Sequence, residues 1–102
     1  MTSDLVAPGL RPGPGRRGAA AGLAALVRVR LAPGAGPADF EARLRAEAGV
    51  AEAWRLAGDC DFEVRLACPS LAALDAALTR LREAGGITST TLVLHRVCLE
   101  AG

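Results

Sequence analysis

The chain has 102 residues, enough for one domain, and its apolar content of 51% includes only 3% aromatics, so Ala, Leu and Val must carry the core. Its formal charge of +1 argues against a dedicated nucleic-acid binder, which would be strongly basic. A core of such small side chains is thin, and a second subunit is the expected way to complete it. The 12 basic residues are all Arg, which beside abundant Ala and Gly reads as genome composition rather than chemistry.

Residues 1–22 read as a disordered tail, because Pro8-Gly9, Pro12-Gly13 and Pro14-Gly15 break any apolar period. Gly18 to Val27 follows Arg16-Arg17 and is apolar like a signal-peptide core, but it runs directly into Arg28 and Arg30 and offers no convincing cleavage site. No stretch reaches the roughly 18 apolar residues of a membrane span. A soluble, cytoplasmic protein is expected, with its folded domain over residues 23–102.

Leu26 to Leu31 alternates, placing Val27, Val29 and Leu31 on one face and Arg28 and Arg30 on the other, as in a half-buried strand. Pro33 to Gly36 breaks it, and Pro37 suits the first turn of a helix with Phe40, Leu44 and Ala48 on one stripe. Asp39 before Arg43 and Glu41 before Arg45 have i,i+4 spacing for ion pairs, and Gly49 ends the helix. Val50 to Ala57 alternates again, with Val50, Trp54 and Leu56 predicted on one face and Ala51, Ala53 and Arg55 on the other. A tight connection, Gly58 to Asp61, leads to a third strand whose Phe62, Val64 and Leu66 alternate with Glu63, Arg65 and Ala67. Ser70 is a plausible N-cap for a helix with the stripe Leu71, Leu74, Leu78 and Leu81. Gly85-Gly86 supplies a left-handed stop, and Thr88 to Leu99 reads as the last strand.

The order β-α-β-β-α-β, with right-handed crossovers, implies an α+β ferredoxin-like sandwich: a four-stranded antiparallel sheet with two helices on one face. The other face stays open and carries Arg28 and Arg30 near Glu63 and Arg65. It is too polar for a private core and too extensive to sit idle, so a homodimer packed through it, charges cross-paired, is expected. Cys60, Cys68 and Cys98 form no CxxC pair, and only one His accompanies them. Buried free thiols in a reducing compartment are the simpler reading, and neither a metal nor a cofactor is expected.

The stretch Val50-Ala51-Glu52-Ala53-Trp54-Arg55-Leu56-Ala57-Gly58-Asp59-Cys60-Asp61-Phe62 resembles the hallmark of the Lrp/AsnC ligand-binding (RAM) domain. There a strand leads into Gly-Asp-aromatic-Asp-aromatic and a second alternating strand. Gly86-Ile87, the hydroxyl run Thr88-Ser89-Thr90-Thr91 and Leu92-Val93-Leu94 resemble that family's closing strand. The resemblance covers roughly Ala24 to Leu99 and implies an effector-sensing and oligomerisation domain of transcription regulators. Such domains dimerise through the open sheet face, often assemble into octamers, and bind amino acids in clefts between dimers.

Carried over, Gly58, Asp59, Cys60 and Asp61 are the loop positions, and Thr88, Ser89 and Thr90 the hydroxyls at the strand start. A zwitterion fits this set: Asp59 or Asp61 accepts from the ammonium, while hydroxyls and loop amides hold the carboxylate. In a purely structural reading, the two Asp residues cap the hairpin and the Thr residues simply favour a strand. Cys60 replaces the usual loop aromatic, and Ala57 a common Thr.

Full-length members of that family carry a helix-turn-helix. The twenty or so residues before the first strand are too few for one, so a stand-alone domain without direct DNA binding is expected, joining full-length regulators as a hetero-oligomer. Two other readings are a pure oligomerisation protein with a vestigial pocket and a small dimeric α+β enzyme using Trp54 and His95. No nucleophile partners His95, and none of these residues makes a catalytic set, so a non-enzyme is expected.

Overall fold

The computed structural model describes residues 22–99; the predicted tail lies almost wholly outside them. The elements follow as β1 (Leu23–Leu31), α1 (Pro37–Ala46), β2 (Val50–Arg55), β3 (Phe62–Cys68), α2 (Leu71–Glu83) and β4 (Gly86–Val93). All neighbouring strands are antiparallel in the order β2-β3-β1-β4, the ferredoxin-like arrangement. Both helices lie against one face. Ala25, Val27 and Val29 of β1 and Phe62, Val64 and Leu66 of β3 meet Phe40 and Leu44 of α1 and Leu74, Ala77, Leu78 and Leu81 of α2 in a single buried core. Phe40 and Phe62 pack with ring centroids 5.1 Å apart at 44°, adding aromatic contact to a core otherwise built of small side chains.

The local signals act as expected at the helix ends. Pro37 opens α1, and the Ser70 hydroxyl accepts from the Ala73 N–H at 3.1 Å, satisfying one of the orphan donors of α2. Gly85 takes φ +103, where a side chain is strained, and a Cβ there would also stand 2.6 Å from the Ala35 Cβ. At Gly86 an added Cβ would press on the Val29 and Phe40 side chains at 3.0 and 3.1 Å, so only glycine lets β4 start this close to the core.

Several expectations need correction. β1 begins at Leu23 rather than Leu26. α1 stops at Ala46, before Gly49, because Glu47 turns to extended geometry and meets α2: its carboxylate accepts from Arg80 Nε at 2.8 Å and Nη2 at 2.7 Å. Ala48 is consequently exposed. Glu41 pairs with Arg45 at 3.5 Å, whereas Asp39 and Arg43 do not pair and Arg43 Nε is buried without a partner. Leu71 is exposed rather than part of the α2 stripe.

The largest correction concerns β2. A bulge between Val50 and Glu52 shifts the alternation by one residue. Val50, Ala53 and Arg55 face the helices, opposite Leu66, Val64 and Phe62, while Glu52 and Trp54 lie on the open face opposite Arg65 and Glu63. Arg55 accordingly sits over the Phe62 ring at 5.5 Å and pairs with Glu41 of α1 at 3.5 Å.

β4 ends at Val93, not Leu99, because its last ladder partner on β1 is Ala24. His95, Val97 and Cys98 therefore lie beyond the strand and are exposed. Of the three thiols only Cys68 is buried; burial pushes it up from the ordinary thiol range, with Glu47 adding to the effect, so it stays protonated and unreactive.

Candidate functional site

The candidate site is built where the end of β1, the β2–β3 loop and the start of β4 converge on the open face. β1 lies between β3 and β4, so its outward residues touch both. Arg28 stands opposite Glu63 on one side and Ser89 on the other, and Arg30 opposite Ile87. The loop bends over this end of β1. The result is a cleft of about 310 Å³ lined by Arg28, Arg30, Asp59, Cys60, Ile87, Thr88 and Ser89.

Asp61 holds the loop there. Its N–H donates to the Val29 carbonyl at 2.8 Å, and its carbonyl accepts from the Leu56 N–H at 2.8 Å. Its carboxylate accepts from the Leu31 N–H at 2.7 Å, replacing with a side chain the ladder bond that β3 no longer supplies. Asp61 therefore faces the backbone of β1, in the capping manner the sequence allowed, and does not line the cleft. Asp59 does, as an exposed carboxylate. Gly58 is exposed, and a Cβ placed on it meets nothing within 4 Å, so the space beside it within the chain is open.

The hydroxyl run divides between the two faces, as any strand must. Ser89 shares the open face with Arg28. Thr88, opposite Val29, also lines the cleft, but its hydroxyl accepts from Arg82 Nε of α2 at 3.3 Å. Thr90, opposite Val27, belongs to the helix face and does not line the cleft. The structure thus brings together Asp59, Cys60, Thr88 and Ser89 and leaves Gly58, Asp61 and Thr90 out of the lining.

Arg28, Arg30 and Ile87 join the site although sequence reasoning had assigned the two arginines only to an interface. The signal was present: a ferredoxin-like order makes β1 and β4 neighbours, and the outward phase of Arg28 then meets that of Ser89. Arg28 is held loosely by Glu63 at 3.9 Å, and Arg30 has no carboxylate partner among the described residues. Guanidiniums, a carboxylate and a hydroxyl around one small cleft can receive a zwitterion, the carboxylate on the cations and the ammonium on Asp59.

Trp54 and His95 are not brought together. Trp54 is on β2 and His95 follows β4, and these strands form opposite edges of the sheet. Among the described residues no group of three or more His, Cys, Asp or Glu side chains is placed to hold a metal ion, and no helix is long and apolar enough to cross a membrane.

Residues 24–100 match the family model of the Lrp/AsnC ligand binding domain. No curated protein matches the chain at a significant level. Among solved structures, the feast or famine regulatory protein of M. tuberculosis, complexed with L-methionine, is similar at 25% identity and a TM-score of 0.70, covering 90% of this chain and 62% of its own. The leucine response regulatory protein LrpA of M. tuberculosis shares the fold at 24% identity and a TM-score of 0.70, covering 94% of this chain and 66% of its own. The chain thus spans less than two thirds of either regulator. A hypothetical protein from Pyrococcus horikoshii is 26% identical with a TM-score of 0.60, and there the match covers 72% of this chain and 92% of that one.

Proposed function

The chain belongs to the Lrp/AsnC ligand-binding domain family, and we propose that it senses a free amino acid in the cleft between the β2–β3 loop and the start of β4. One observation carries this reading: Asp59 and Cys60 of the loop share a cleft with Thr88 and Ser89, which lie almost thirty residues away in sequence. Asp59 accepts from the ammonium, and Ser89 with the neighbouring guanidiniums holds the carboxylate. The M. tuberculosis relative in complex with L-methionine supports an amino acid as the ligand class. The family is one of ligand-binding domains in transcription regulators, not of enzymes, and the separation of Trp54 from His95 favours no catalytic role.

The same proposal gives the part of the open sheet face beyond the cleft to a second copy of the chain. Trp54 and Val93 are exposed there beside Glu63 and Arg65, a mixture that self-pairing about a two-fold axis would cover. Dimers of this kind, or octamers built from them, or mixed assemblies with full-length regulators, would carry the effector signal to DNA. The free thiols Cys60, Cys68 and Cys98 suit a reducing cytoplasm.

Thermal unfolding of the full chain with each of the twenty amino acids tests the sensing role, and native mass spectrometry of the same mixtures reads stoichiometry. The expected result is an even-numbered oligomer and a rise in Tm of several degrees with one or a few ligands. A chain that binds none of the twenty overturns the sensing role; a strict monomer overturns the assembly.

A further inference from the structure

Resting on the reading of the cleft as an amino-acid site, we infer that its ligand is an acidic amino acid, aspartate or glutamate, rather than a neutral one. The argument begins with the lining charges. Among the lining residues Arg28 and Arg30 contribute two guanidiniums and Asp59 one carboxylate, one positive charge in excess, with Glu63 just outside the lining at 3.9 Å from Arg28. A neutral amino acid cancels one guanidinium with its carboxylate and Asp59 with its ammonium, leaving the second guanidinium without an anion. An acidic amino acid presents two carboxylates and one ammonium, and matches the lining group for group.

Placement agrees with the charge count. Arg28 and Arg30 leave the same face of β1 two residues apart, about 6.7 Å along the strand, so the guanidiniums start from adjacent outward positions. Glu63 approaches Arg28 no closer than 3.9 Å, and Arg30 has no carboxylate partner among the described residues. Arg30 is available to take a carboxylate through the paired N–H groups that suit one, and Arg28 has only the long contact with Glu63 to give up for a second. The lining exposes more apolar than polar surface, so the methylenes of an acidic side chain have a wall to rest on. Among side chains that can share that wall, the charge of the two guanidiniums makes the choice.

Isothermal titration of the full chain, in buffer of fixed low salt, compares L-glutamate and L-aspartate with L-glutamine, L-methionine and glutarate. Glutamine differs from glutamate only in the charge of its side chain, and glutarate lacks only the ammonium. One acidic amino acid is expected to bind about tenfold or more tightly than glutamine or methionine, and glutarate more weakly than glutamate. Arg30→Gln, at an exposed position away from the core, should keep the wild-type circular dichroism and Tm while removing the preference for glutamate over glutamine. A neutral amino acid binding as tightly as glutamate overturns the acidic ligand but leaves amino-acid sensing in place. Failure of every amino acid to bind removes both. Retention of the glutamate preference in Arg30→Gln refutes the role of Arg30, and equal affinity for glutarate refutes that of Asp59.

Discussion

Replacing Glu47 with Gln isolates the contact that joins the end of α1 to α2. Glu47 is buried at 7% exposure and accepts two hydrogen bonds from Arg80, at 2.8 and 2.7 Å. The hydrogen bonds from Arg80 hold its carboxyl below the usual carboxylate range, with the charges of Arg80 and Arg43 helping and burial opposing. Glutamine keeps the shape but offers one acceptor oxygen and turns an amide NH₂ toward the guanidinium. A fully buried pair broken in this way costs about 3–5 kcal/mol. Arg80, however, is 44% exposed and can rehydrate when released, so the loss should approach that of one charge-assisted hydrogen bond, about 2 kcal/mol.

For a domain of this size that loss lowers Tm by roughly 8–16 °C at pH 7. The sign of the pH dependence follows from the lowered pKa. The stabilisation is complete above the ordinary carboxyl value and disappears as pH falls through the lowered one, so the gap between wild type and Glu47→Gln should close in acid. Urea denaturation of both proteins at pH 7 and near pH 3 measures it. A gap that is unchanged between the two pH values, or absent at pH 7, refutes the argument.

Other substitutions probe separate links. Asp61→Ala removes the acceptor for the part-buried Leu31 N–H and should cost about 1.5–3 kcal/mol in chemical denaturation, with Asp61→Asn recovering much of it; an unchanged Asp61→Ala protein would show that the bond contributes nothing. Ser70→Ala should lower stability by about 1 kcal/mol through loss of the α2 cap, whereas Ser70→Asp should hold or raise it, because the first turn of α2 has no acidic residue; thermal unfolding of the pair decides. Leu66→Ala opens a void in the fully buried centre of β3 and should cost about 2–5 kcal/mol by urea midpoint, and a loss below about 1 kcal/mol would contradict the packing described.

What was legible in the sequence was what local chemistry decides. Ser70, Pro37 and Gly85 mark helix boundaries because caps and φ preferences act within a few residues. The alternation of Val27 with Arg28, or Phe62 with Glu63, names a face without knowledge of the neighbour. The bulge after Val50 was not legible, since both Val50 and Ala51 can face inward and the choice depends on pairing with Leu66. The end of β4 was hidden for a related reason: Leu94, Val97 and Leu99 have strand-like chemistry, but a strand needs a partner and the β1 ladder ends at Ala24. Likewise Glu47 reads as an ordinary helix-surface acid until α2 places Arg80 against it. Within the cleft, the family pattern located Asp59 and Ser89, while Arg28 and Arg30 emerged only from the register of β1 against β4.

Because the Asp61 carboxylate fastens the hairpin bend to the backbone of β1, Asp59 on that bend and the arginines on that strand belong to one stiff frame. On the proposed reading, an effector entering between them would meet backbone positions that are already set, leaving only the side chains to be ordered. If the cleft senses an effector as proposed, the side with room to respond is the one near Gly58, where an added Cβ meets nothing within 4 Å.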